Sequence, residues 1–395
     1  MLLHFHYSPN PHSGEIRRIR NIDEELSALS NVGHIEVEFY PLRQLLDIYK
    51  GGNKFFLSNK IEKKFYFPQV PFRHLSFFRF IDELWTSFLI WLVVVRYNIT
   101  IIVGEYSVCS QSLRFINKNK KSKRRIIVDV HGASPEEYEY NAGCSGDKMS
   151  QYLSDKEKQS FKKADDIICQ SYAMKQHIVK KYGIVDSKIC VYHCGVDLNK
   201  FELSPEWRKD IREQYGIGVN TTVFVYSGGM HKWQKVEDSI LIFVEYHKIY
   251  PDSFLFLLTK DTDLAHIYVD KYPSIMKSVV IISLAPEEVY KYLNASDVAF
   301  LLRDNVVMNA VASPTKLAEY MACGLPVISG IVAKNWIQNA PDGILLCIDS
   351  DNYVDVIYKS LLSSNPNFIR DYAKDNLSLE IDSNRFKNYF KAIFA

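Results

Sequence analysis

The sequence has few of the residues that mark extreme protein classes. Its 17 glycines and 14 prolines among 395 residues are too few for a collagenous or disordered chain. Seven cysteines, at 109, 144, 169, 190, 194, 323 and 347, show no C-x-x-C pairing and none of the density of a small secreted scaffold, so reduced thiols in a cytosol are expected. The opening residues, Met1-Leu-Leu-His-Phe-His6, lack the basic and then apolar segments of a signal peptide, which also points to the cytoplasm. No apolar run reaches the ~20 residues of a membrane-crossing helix. The nearest, Leu84 to Val95, is bracketed by Asp82, Glu83 and Arg96 and reads as a buried core helix. Net charge is scarce as well. With 48 Lys and Arg against 46 Asp and Glu the balance is +2, too little for a whole-surface nucleic-acid field, and no helix-turn-helix or stacked basic-aromatic sheet is visible. Internal repeats, heptads and low-complexity tracts are absent.

What is present is an ordinary globular composition, 47% hydrophobic and 24% charged, which at about 150 residues per domain implies two or three domains with a large core. Charge is unevenly distributed. Residues 1–199 carry 28 basic and 22 acidic side chains, a balance of +6, and the remainder carries −4.

Strand-length apolar runs alternate with amphipathic stretches, the pattern of parallel sheets with crossover helices. Strands are expected at Leu2 to Tyr7, Thr100 to Val103, Arg125 to Val130, Asp166 to Gln170 and Lys188 to Tyr192, with helices at Asp155 to Ala164 and Tyr172 to Tyr182. A polar stretch, Asp197 to Tyr215, reads as a linker with one helix. A second series of strands follows at Thr222 to Tyr226, Ser253 to Leu258, Val279 to Ile282, Val298 to Leu302, Leu325 to Ser329 and Ile344 to Ile348. Helices are expected at Lys235 to Tyr250, Pro286 to Asn294 and Pro314 to Cys323. The expected class is α/β, two doubly wound Rossmann-like domains facing across a cleft. Residues 1–198 would be the acceptor-side domain, 199–375 the donor domain, and 376–395 a helix that can return to the first. Such sheets bind ligands at the carboxyl ends of their strands.

The segment from Ala312 to Ser329, ASPTKLAEYMACGLPVIS, is the most informative. Ser313 suits an N-cap and Pro314 a first helical residue, so a helix should open here with exposed N–H groups. Lys316 and Glu319, three apart, share a helical face, while Gly324 and Pro326 end the helix. The N–H groups and Lys316 suit a diphosphate, and the carboxylate suits the vicinal hydroxyls of a ribose. A surface helix with a Ser-Pro cap and a Lys316–Glu319 pair is the plainer alternative.

Phe300-Leu-Leu-Arg-Asp304 followed by Ser313 to Ile328 resembles the donor-site signature of GT-B glycosyltransferases, specifically the retaining family GT4. Ala164 to Ser171 and Lys188 to Phe201 resemble the same family's end of the first domain and interdomain crossing. By this resemblance Glu319 holds the donor ribose, while Lys316 and the amides around Ser313 and Thr315 face the diphosphate. Arg303 and Gly228 fall in the donor-binding segments. Gly14, in Pro11-His-Ser-Gly-Glu15, matches a loop where backbone approaches the donor closely, or forms a simple strand-to-helix turn. His131, at the end of Val128-Asp-Val-His, matches the position beside the reacting sugar; capping a turn is the alternative. His131 and Lys316 are the expected catalytic groups.

The chain also departs from the family. Of two glutamates eight apart, the first is Val311 here. In Tyr226-Ser-Gly-Gly-Met-His-Lys-Trp-Gln-Lys235, Gly229 stands where the family has Arg, and Gln234 where it has Lys. Lys232 and Lys235 can supply the missing positive charge or be solvated, and Trp233 can stack on the donor base or simply pack.

No metal or other cofactor is expected. His4, His6 and His12 lack a Cys or carboxylate partner at ligand spacing, and Asp261-Thr-Asp263 is unsupported. The run from Lys118 to Arg125, six cations in eight residues, reads as a solvated loop. With Lys54, Lys60, Lys63, Lys64 and Phe65-Tyr-Phe67, it is also a candidate for peripheral contact with an anionic inner leaflet.

The expectation is a retaining transferase that moves a sugar from a nucleotide-diphosphate donor to a lipid-linked or saccharide acceptor in bacterial surface-polysaccharide assembly. The alternatives are a sugar-nucleotide 2-epimerase and a non-catalytic partner subunit of the same fold.

Overall fold

The structure, a computed structural model, describes residues 1–7, 14–30, 32–51, 61–71, 75–105, 116, 124–337, 340–348 and 352–394. It divides into two compact units, Met1–His193 with Ser383–Ala395, and Cys194–Asp382.

In the first unit the order is β1 (Leu2–Tyr7), α1 (Gly14–Ser30), β2 (His34–Tyr40), α2 (Leu42–Gly51), β3 (Ile61–Pro68), α3 (Ser76–Arg96), β4 (Ile101–Glu105), β5 (Arg125–Val130), α4 (Ser134–Ala142), α5 (Lys148–Lys163), β6 (Asp166–Cys169), α6 (Tyr172–Tyr182) and β7 (Ile189–Val191). The strands form one parallel sheet ordered β3-β2-β1-β4-β5-β6-β7. Local chemistry sets several of the boundaries. The Ser171 hydroxyl accepts from the Met174 N–H to open α6, and Gly183, at φ 67°, closes it in the left-handed conformation that glycine adopts without strain.

The second unit runs α7 (Pro205–Gln214), β8 (Thr222–Ser227), α8 (Val236–Ile249), β9 (Ser253–Leu258), α9 (Thr262–Val269), β10 (Val279–Ile282), α10 (Val289–Ala295), β11 (Val298–Phe300), α11 (Val307–Ala310), α12 (Thr315–Ala322), β12 (Val327–Ser329), β13 (Leu345–Cys347), α13 (Tyr353–Leu362) and α14 (Pro366–Leu377). Its parallel sheet is ordered β10-β9-β8-β11-β12-β13. Both faces are apolar. Val223, Val225, Phe256 and Ala299 lie in one cluster, and Phe224, Tyr226, Leu255 and Phe300 in the other, as expected for strands covered on both sides. The last helix, α15 (Leu379–Phe394), starts in the second unit and ends in the first, where Phe386 and Phe390 pack with Leu2, Ile22, Leu26 and Tyr192.

Three features of the first unit differ from the sequence reading. Strands β2 and β3 were not expected, because the sequence of β2, HIEVEFY, alternates like a half-exposed strand. Here every one of its residues is buried, with His34, Glu36 and Glu38 on the face that also carries His4 and His6 of β1. His6 Nε2 lies 3.1 Å from Glu36 and 3.0 Å from Glu38, and Lys64 of β3 lies 2.9 and 2.8 Å from the same carboxylates. His4 Nδ1 meets Asp23 of α1 at 2.5 Å. The third difference is α3, which is not a buried core helix. Asp82, Glu83, Thr86 and Ser87 are on its buried side, whereas Trp85, Phe88, Trp91, Leu92 and Val95 are exposed.

Candidate functional site

The second unit gathers its polar groups at the carboxyl ends of β8 and β11. Tyr320 of α12 is fully buried, and its hydroxyl accepts the Ser227 N–H at 2.8 Å, fixing α12 against the end of β8. The chain then turns at Gly228, with φ 131°, a conformation open to glycine. A Cβ on Gly228 would sit 2.5 Å from the Lys316 ammonium, so the absent side chain is what lets Lys316 reach over the strand end. The Tyr226 hydroxyl donates to the Gly229 carbonyl at 2.5 Å and holds this turn closed.

Lys316 Nζ lies 3.4 Å from the Tyr226 hydroxyl and 3.3 Å from Gln234 Oε1, with the Tyr226 ring centroid at 4.6 Å. Burial and the nearby Arg303 cation push its pKa down to about 7, and Glu319 offsets only part of that. Arg303 is also depressed by burial, to about 10. Its guanidinium lies 4.6 Å from the Trp233 centroid and 5.5 Å from that of Trp336, and its buried Nε has no hydrogen-bond partner among the described residues. Two cations are therefore held close enough to repel each other, with little to neutralise them.

The other expected donor-side residues divide. Ser313 does not cap the helix: α12 begins at Thr315 with Pro314 as its N-cap, and the Ser313 hydroxyl instead accepts the Cys194 N–H at 3.1 Å. That correction leaves the first N–H groups of α12 without a side-chain cap. Lys235 is committed to ion pairs with Asp238 at 2.8 Å and Asp304 at 3.2 Å. Lys232 is exposed and, with Lys235, lines a cavity of about 290 Å³ beside Asp304. Trp233 stacks on His231 at 6.0 Å as well as against Arg303.

In the first unit, His131 follows β5, and its Nε2 lies 2.7 Å from Asp129 Oδ2. Asp129 is fully buried and clasped by Arg18 Nη1 of α1 at 2.5 and 2.6 Å. Burial alone would raise the Asp129 pKa, but Arg18 and His131 hold it far below the usual carboxylate range. The ionised carboxylate can only accept, so the His131 Nε2 carries the proton. Gly14 is the first residue of α1; residues 8–13 ahead of it lie outside the described residues.

Residues 55–200 match the family model of Glycosyltransferase Family 4. Among solved structures, the chain is similar to sucrose-phosphate synthase from Thermosynechococcus elongatus at 14% identity and a TM-score of 0.69, covering 100% of this chain and 98% of that one. It is also similar to Anabaena HepE in complex with UDP-glucose, at 14% identity and a TM-score of 0.67, covering 99% of both chains. WaaG, a glycosyltransferase involved in lipopolysaccharide biosynthesis, gives 14% identity and a TM-score of 0.67 over 99% of both chains. No curated protein matches in sequence. The fold is therefore the GT-B arrangement of two parallel Rossmann-like sheets, as the alternating pattern predicted.

Some residues around these polar groups escaped the sequence reading. Tyr226, Tyr320 and Trp336 look like core aromatics in sequence, yet they line Lys316 and Arg303. The Asp129–Arg18 pair had one visible sign, the placement of Asp129 two residues before His131 on the same strand face. His6 also differs from the expectation that it lacks carboxylate partners. Carboxylates do stand at ligand distance from His6, but they come from β2, and Glu36 and Glu38 are already bridged by Lys64. His12 lies outside the described residues. Asp261 and Asp263 are both exposed, and Asp261 accepts the Met230 N–H at 2.8 Å.

Proposed function

We propose that this chain is a retaining glycosyltransferase that transfers a sugar from a nucleotide-diphosphate donor to the hydroxyl of a lipid-linked or saccharide acceptor, in bacterial cell-surface polysaccharide assembly. The observation that carries the reading is the pair Lys316 and Arg303. Both are depressed in pKa by burial, and they stand beside a turn whose glycine leaves room for the Lys316 ammonium. A diphosphate supplies the negative charge that such a pair lacks. Similarity to HepE bound to UDP-glucose and to WaaG supports the donor and the pathway.

In this proposal Glu319 holds the ribose, the first amides of α12 and Lys316 hold the diphosphate, and Arg303 replaces the arginine missing at Gly229. As the glycosidic C–O bond to phosphate breaks, Lys316 and Arg303 stabilise the leaving diphosphate. The acceptor attacks on the same face and its proton passes to the departing phosphate oxygen, so the proposal needs neither a protein nucleophile nor a metal. His131, oriented by Asp129, serves the sugar-transfer step. Among the described residues no helix is long and apolar enough to cross a membrane.

The test is a thermal-shift titration with UDP- and GDP-sugars, followed by product analysis with acceptor extracts. A sugar nucleotide should raise Tm in proportion to the logarithm of its concentration above Kd. Glu319→Ala should weaken that shift, and His131→Ala should leave the shift intact while turnover falls. An epimerised free sugar nucleotide without transfer would overturn the reading.

A further inference from the structure

Helix α3 is built inside out. Between Phe77 and Val95 every exposed residue is apolar: Phe77, Phe80, Trp85, Phe88, Trp91, Leu92 and Val95. At 100° per residue these positions form one continuous stripe along the whole helix, and Phe88 and Trp91 stack within it at 6.1 Å. The carboxylates point the other way and are satisfied inside the unit. Asp82 accepts the Val70 N–H at 2.9 Å, and Glu83 binds the Tyr152 hydroxyl at 2.6 Å and Lys156 at 3.0 Å. The exposure is therefore not a remnant of a uniformly apolar helix, since the unit takes the carboxylates inward and leaves the aromatics outside. A soluble monomer rarely exposes an apolar patch this long without a use for it.

We propose that this stripe lies on an anionic lipid surface, with α3 parallel to the membrane plane and its aromatics in the headgroup boundary. Charge selects this occupant over a second copy of the chain. The unit that carries α3 holds 31 Lys and Arg against 21 Asp and Glu, a net +10, so two such units repel each other and an anionic bilayer attracts them. The second unit carries 17 against 25, a net −8. Exposed cations stand at the end of the stripe. Arg96 lies 5.3 Å and Lys63 4.7 Å from the Tyr97 ring, just beyond Val95. The contact differs from the one expected from sequence, because Lys64 is held in ion pairs with Glu36 and Glu38, and Lys54, Lys60 and residues 117–123 lie outside the described residues. The inference stands independently of the transferase reading.

Flotation of the full chain with vesicles of phosphatidylcholine, alone or mixed with phosphatidylglycerol, tests it. Binding should require the anionic lipid, weaken with salt, and shift tryptophan emission to the blue. The exposed-site variants Phe88→Glu and Trp91→Glu should each lower vesicle affinity roughly tenfold or more while the unfolding midpoint stays unchanged. Wild-type chain that ignores anionic vesicles overturns the proposal, as does binding that both variants retain. A dimer in sedimentation that Phe88→Glu splits, without vesicle binding, assigns the stripe to a second copy instead.

Discussion

The two units handle buried charge in opposite ways. The first unit gathers His6, Glu36, Glu38 and Lys64 as a group in which each carboxylate has Lys64 at 2.8 or 2.9 Å and His6 at 3.0 or 3.1 Å, and it buries Asp129 against Arg18 and beside His131. In the second unit, Lys316 and Arg303 sit among Tyr226, Trp233 and Trp336, with Glu319 offsetting only part of the cost. Compensated charge of the first kind is architecture, since it satisfies itself. Charge that the fold leaves unneutralised is poised for something the chain does not contain.

Removing one partner from each group should separate the two cases. Lys64→Met leaves two buried carboxylates with one histidine, and a loss of about 3 to 5 kcal/mol is expected in urea unfolding. Replacing Glu36, Glu38 and Lys64 together with Leu, Leu and Met should cost less than that single change, because no unpaired charge remains. A larger loss in the triple variant would show that the group contributes more than charge balance.

Proton linkage offers a milder probe. Burial would raise the Glu36 pKa, but hydrogen bonds and charge from His6 and Lys64 hold it below its ordinary 4.5. Its contribution is therefore complete above pH 4.5 and lost as pH falls below it, which acid titration of unfolding should reveal as a slope missing from Glu36→Gln. Lys316 runs the other way. With a pKa near 7 in the folded chain, it imposes a cost on folding that is full below pH 7 and fades as pH rises towards its ordinary 10.5. Binding of UDP should restore the proton, so affinity should fall as pH rises above 7, by at most about tenfold per pH unit, with proton uptake visible by calorimetry in buffers of different ionisation heat.

The smallest expected effect is the most diagnostic. Lys316→Met removes a buried cation without stranding a partner carboxylate, so the fold should be no less stable than the wild type near pH 7, while UDP binding is lost. If Lys316→Met destabilised as severely as Lys64→Met, the contrast between the units would fail.

The same contrast explains what could be read in the sequence. The second unit was legible because its buried strands are apolar throughout, as in Ser253–Leu258, and because the spacing of Lys316, Glu319 and Gly324 marks a helix and its end. Strand β2 was not, since His34, Glu36 and Glu38 look solvent-facing until the neighbouring strands supply Lys64 and His6. Helix α3 misled for the converse reason: its apolar residues announced a core, but Tyr152, Lys156 and the Val70 amide draw its carboxylates inward instead. Ser313 carried a cap signal, but the Cys194 amide, distant in sequence, engages its hydroxyl. Partners far along the chain decided each of these cases.

Helix α15 has a consequence for biosynthesis. Phe386 and Phe390 complete a core whose other members include Leu2, Ile22 and Leu26, so a segment translated before the second unit must wait for one translated after it. The acidic unit, contiguous in sequence, can close during translation. The basic unit cannot, and a nascent chain stalled before residue 383 should present that half unfinished to chaperones.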